Sequence, residues 1–240
     1  AAMLQPAGAQ QRFVELGAGR GLTASVVHAV LIDRDGLLWV GSREGLHSYD
    51  GYEAISFAPD PAEPTGFGEG EVRALYQADD GALWVGTQDR GAYRRDPRTG
   101  RFRQFSHDPS NPRSLSDPTV LDIAQDGEGN VWIATRNGVN RLDADLAGFT
   151  RYHQVSEPAP VLGRHRASRL HRDSTGRLWV ATHGAGVARW DPARGEFDAY
   201  SLAELTGGST GLDSVFSLIG ARSGRLWVGT REGLVLLDPR

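Results

Sequence analysis

The chain has 240 residues, of which 39% are hydrophobic and 23% charged, with a formal net charge of −4. That balance suits an ordinary globular domain and leaves no basic footprint for nucleic acid or an anionic membrane surface. The absence of cysteine excludes disulfides, thiolate metal sites and a cysteine nucleophile, and no run of 18 apolar residues offers a membrane segment.

Residues 1–12 are small, polar and aperiodic. They read as a disordered leader, either the ragged start of an exported chain or a remnant of cloning. Phe13-Val14-Glu15-Leu16 follows, an isolated strand-like run. From there the chain is organised by one string that occurs five times. It is Leu38-Trp39-Val40-Gly41-Ser42, then Leu83-Trp84-Val85-Gly86-Thr87 and Val131-Trp132-Ile133-Ala134-Thr135. Leu178-Trp179-Val180-Ala181-Thr182 and Leu226-Trp227-Val228-Gly229-Thr230 complete the set. Their tryptophans recur every 45 to 48 residues, a period that marks a solenoid, propeller or array.

Each repeat has the same grammar. An apolar strand comes first, over 26–32, 72–77, 120–125, 167–172 and 215–220. A polar turn with a glycine three residues before the tryptophan leads into the second strand. A second glycine turn, at Gly45, Gly91, Gly138, Gly186 and Gly233, leads into the third. A fourth strand carries spaced aromatics, as in Phe102 and Phe105, Phe149 and Tyr152, or Phe197 and Tyr200. Four short antiparallel strands per unit predict one propeller blade, and no segment sustains the 3.6-residue period of a helical repeat.

The expected fold is therefore all-β, a β-propeller of five four-stranded blades in a single domain over residues 13–240. The blades run roughly 22–58, 68–106, 115–153, 162–201 and 211–240. The last lacks a fourth strand, so residues 13–16 are expected to complete it and close the ring. The alternative is a five-blade fragment of a larger, seven-bladed ring, which would leave apolar blade faces open to self-association as a homodimer. The tryptophans are expected in the core between blades.

The string from Asp33 to Leu46, D-x-x-G-x-L-W-V-G-S-x-x-G-L, resembles the two-component regulator propeller repeat. So does the longer form through Asp96-Pro97-Arg98-Thr99-Gly100-Arg101-Phe102, and the resemblance covers residues 13–240. It implies a periplasmic sensor region of a bacterial receptor, ahead of a transmembrane helix and a histidine kinase or diguanylate cyclase. This chain carries neither, and has fewer blades than the seven typical of that family.

Strand order brings the loops before each first strand to the same face as the turns between second and third strands. Candidate ligand-binding residues there are Arg43, Glu71, Arg90, Arg136, His165, Arg169, His183 and Arg231. They are arginine-rich, and guanidinium forks suit carboxylate or sulfate groups. Aligned on the turn glycine, Ala29, Ala74, Asp122, Arg169 and Ser217 are equivalent, and Asp122 and Arg169 are expected to form a structural ion pair in the channel. No metal site or cofactor is expected: Asp126–Asn130 lacks the distal glutamate of a calcium loop and reads as a hairpin. No Walker or G-x-S-x-G motif is present. The function expected is non-catalytic sensing of a small polar or oligosaccharide ligand. A propeller lyase or glycosidase, or a protein-interaction scaffold, is the alternative.

Overall fold

A computed structural model describes residues 22, 24–59, 65–152, 166–221 and 223–239. Residues 13–16 and His165 fall outside that set. Five antiparallel sheets follow one another along the chain, four with four strands and the fifth with three, each in simple sequence order. First strands are Val27–Ile32, Val72–Gln77, Val120–Gln125, Ala167–Arg172 and Val215–Gly220. Second strands are Leu38–Ser42, Leu83–Thr87, Val131–Thr135, Leu178–Thr182 and Leu226–Thr230. The first strand of each sheet packs against the first strand of the next. Among the described residues, no helix is long and apolar enough to cross a membrane.

Local chemistry sets each hairpin. The glycine before each tryptophan, Gly36, Gly81, Gly129, Gly176 and Gly224, has φ between 78° and 89°, a region costly for any residue with a Cβ. In three sheets the first residue of that turn is an aspartate whose carboxylate fastens the tryptophan. Asp33 accepts the Trp39 indole N–H at 2.8 Å, Asp126 that of Trp132 at 2.8 Å, and Asp173 that of Trp179 at 2.9 Å. Ala78 and Ala221 hold this position in sheets two and five.

The indoles of Trp39, Trp84, Trp132 and Trp179 are at most 2% exposed and pack against the sheet that follows. Each such burial removes on the order of 200 Å² from water, worth about 5 kcal/mol in transfer terms. Beside them runs a knob-and-hole contact. A Cβ placed on Gly41 would lie 2.5 Å from Val72 Cγ1, and one on Gly86 would lie 2.4 Å from Val120 Cγ1. At the next two boundaries the corresponding residues are Ala134 with Ala167 and Ala181 with Val215, each pair within one buried cluster.

The two ends of the array differ from its interior. Trp227 is 40% exposed, and Ile219, Leu234 and Leu236 share that exposure on sheet five. On sheet one Val27, equivalent to the wholly buried Val72 and Val120, is 48% exposed, with Val30 and Ile32 beside it. Among the described residues, the fifth sheet has three strands rather than the four expected, and no sheet covers either end face.

Between sheets four and five lies a short helix, Leu202–Thr206, that strand periodicity did not predict. Its ends are capped locally. Ser201 accepts the Glu204 N–H, Gly207 adopts the left-handed conformation, and the buried Asp213 accepts the Leu202 and Ala203 N–H groups.

Candidate functional site

Every first strand carries one irregularity, at the same place. In sheet one Val27 pairs with Ser42 and Ala29 with Gly41, so His28 has no partner across the ladder. The same skip isolates Arg73, Leu121, Ser168 and Phe216 in the other four sheets. A bulge of this kind sets two residues against one and re-aims the extra side chain. All five bulged residues line a single cleft of about 410 Å³ at the loop face of the sheets. Gln88, Arg136 and His183, from turns between second and third strands, and Arg166 and Arg169 complete it.

Its polar contacts are specific. Glu71 bridges two bulged residues of neighbouring sheets, 2.9 Å from His28 Nε2 and 2.7 Å from Arg73 Nη2. Arg166 Nη2 donates to His183 Nε2 at 3.1 Å, which puts the imidazole proton on Nδ1 because guanidinium only donates. Burial, then the charges of Arg166 and Arg169, hold the His183 pKa below its ordinary value. Phe216 meets the His183 ring edge-on, with centroids 4.8 Å apart. Ser168 Oγ is tied to the Val215 carbonyl at 2.8 Å, binding sheet four to sheet five. The Oε1 atom of Gln88 is buried without a partner.

Of the residues expected at the site, Arg136, Arg169 and His183 line the cleft, and Glu71 orients two others that do. Arg90 sits aside in a shallow recess with Glu69, Glu71 and Asp89, ion-paired to Glu69 and Asp89. Arg43 and Arg231 are exposed on turns of the first and last sheets and do not line the cleft. The expected Asp122–Arg169 ion pair is replaced by another link. Asp122 Oδ2 accepts the backbone N–H of Leu170 at 2.8 Å, and Arg169 donates to the Ser168 carbonyl at 3.0 Å. The backbone donor lies nearer the buried carboxylate than the long side chain, whose charge acts from a distance. His28, Arg73, Leu121, Ser168 and Phe216 were not anticipated, because alignment on the turn glycine selects the residue one position later. A second recess, of about 270 Å³, lies between sheets four and five near His171 and Gly220 and draws on those two sheets alone.

Three segments, 21–44, 66–89 and 114–137, match the model of the two component regulator propeller. No curated protein matches the chain significantly in sequence. Among solved structures, the chain is similar to the extracellular domain assigned to the hybrid two component system BT3049 of B. thetaiotaomicron. Identity is 22% and the TM-score 0.76, over 95% of this chain and 30% of that one. The corresponding domain of BT4673 from the same organism gives 22% and 0.57, over 91% and 32%. The chain thus spans about a third of the length of these relatives. Virginiamycin B lyase from Staphylococcus aureus shares the fold at 14% identity and TM-score 0.64, over 90% and 71%.

Proposed function

We propose that this chain, which carries the two component regulator propeller repeat, is the extracytoplasmic sensing part of a bacterial signal-transduction receptor. It binds a small polar or oligosaccharide cue without turning it over. One observation carries this reading: five sheets each direct one bulged side chain into the same cleft. A core needs no such convergence, whereas a recess of roughly 300–1,000 Å³ with a few aimed polar groups is what small-ligand sites share. The output kinase or cyclase lies outside this chain. Signal passes to it when binding favours one arrangement of protomers over another. Among the described residues the outer faces of sheets one and five are uncovered, which supports an arc completed by further sheets rather than a ring closed on itself.

The reading is tested by melting the protein in the presence of a panel of saccharides and organic acids, with each mixture then chromatographed for products. A saturable rise in Tm without product formation is expected; ligand at 100 times its Kd adds about 2.7 kcal/mol. Product formation would instead support a lyase or glycosidase. A panel in which nothing shifts Tm would defeat small-molecule sensing and favour a protein-interaction scaffold.

A further inference from the structure

The cleft gathers more positive charge than its surroundings neutralise. Four guanidinium groups line it, those of Arg73, Arg136, Arg166 and Arg169. The carboxylates nearby are already engaged, Glu69 and Asp89 of the adjoining recess with Arg90. Glu71 is engaged with Arg73 and His28, and Asp122 with the Leu170 N–H. Arg166 donates to an uncharged imidazole nitrogen and Arg169 to a carbonyl. Arg136 has no hydrogen-bond or ion-pair partner among the described residues. The chain as a whole is acidic, so this concentration runs against composition. Like charges focused in one recess repel each other and raise the local concentration of anions. Arginine offers a planar fork of donors that a carboxylate or sulfate fills two at a time. Phe216, packed edge-on against His183 and about half exposed as a residue, adds an apolar wall of the kind on which a ligand's carbon skeleton rests.

We propose that the ligand of this cleft is an anionic saccharide, its carboxylate or sulfate held by Arg136, Arg166 and Arg169 and its ring face laid on Phe216. The proposal rests on reading the cleft as the sensing site and adds the charge class of what is sensed.

Isothermal titration of the whole chain with digalacturonate, a monosulfated disaccharide and neutral lactose tests it. One or both acids bind, more weakly as salt is raised, and the comparison between them separates carboxylate from sulfate. Arg136→Ala and Arg169→Ala each weaken binding tenfold or more at unchanged Tm, and Arg136→Lys recovers part of the loss. Phe216→Ala weakens binding but leaves its salt dependence intact. Lactose binding as tightly as the acids would overturn the charge assignment while leaving ligand sensing in place. Failure of both acids to bind, or acid binding indifferent to both arginine substitutions, would overturn it as well.

Discussion

Asp122 and Leu170 meet across the boundary between sheets three and four, the carboxylate Oδ2 accepting the backbone N–H at 2.8 Å. Burial pushes the Asp122 carboxyl up to about 6, against the pull of the Leu170 N–H, the Arg169 charge and the Ile123 N–H. The folded chain therefore holds this proton more tightly than the unfolded chain does. Its contribution to stability grows as pH falls from 7 towards 4 and is lost as pH rises through 6, with an upper bound of about 3 kcal/mol. Asp122→Asn removes that component. Tm measured between pH 4.5 and 7 should rise on acidification in the parent relative to the variant; parallel profiles would refute the assignment.

Asp173 works in the opposite direction. Burial acts to raise its pKa, but hydrogen bonds from Thr175, Trp179 and Arg177 outweigh it and hold the group at about 2. This stability is present above pH 4 and lost as pH falls from about 4 to 2, on the order of 2 kcal/mol. Asp173→Asn should flatten the fall of the urea midpoint over that interval. Asp173→Ala, which leaves the buried Trp179 N–H without its acceptor, should cost about 2–4 kcal/mol at pH 7.

Gly86 and Val120 make a testable pair. Gly86→Ala drives a methyl into Val120 and should destabilise by about 1–3 kcal/mol. Adding Val120→Ala recreates the alanine pairing of Ala134 with Ala167, so the double variant should be more stable than the sum of the single changes predicts. Strict additivity of the denaturation free energies would show that the two side chains are not in contact.

The chain's six tryptophans report on the end of the array. Trp227 is far more exposed than the four buried repeat indoles. Acrylamide should quench one accessible component of the emission, and Trp227→Phe should abolish it. Emission uniformly shielded in the parent would mean that another sheet covers Trp227, as ring closure requires.

The strand layout was legible because each repeat restates it: four of the five expected first-strand ranges coincide with those observed, and the other begins one residue later, at Val27. Tryptophan burial was legible for the same reason in four repeats. It failed at Trp227, where local sequence is identical in kind but the next sheet is absent from the described residues. The cleft was half legible. Loop arithmetic placed Arg136 and His183, which sit on turns of predictable position. The bulges escaped because a skipped ladder bond has no residue signature. Valine, alanine and a bulged His28, Arg73, Leu121, Ser168 or Phe216 look in sequence like any alternating strand, and one skipped residue moves the axial position by one. The helix 202–206 escaped because capping by Ser201, Gly207 and a distant Asp213 stabilises a segment too short to show a period.

Under the proposed sensing role, the shared bulge also bears on how selectivity is set. The five displayed side chains hang from one backbone irregularity, and none of them belongs to the buried hydrophobic clusters that hold the sheets together, although Ser168 also ties sheet four to sheet five. Chemical selectivity is thus separated from the scaffold, at one register position per repeat. Under that role, exchange of a histidine, arginine or phenylalanine there is expected to alter what is recognised while the architecture stays as it was.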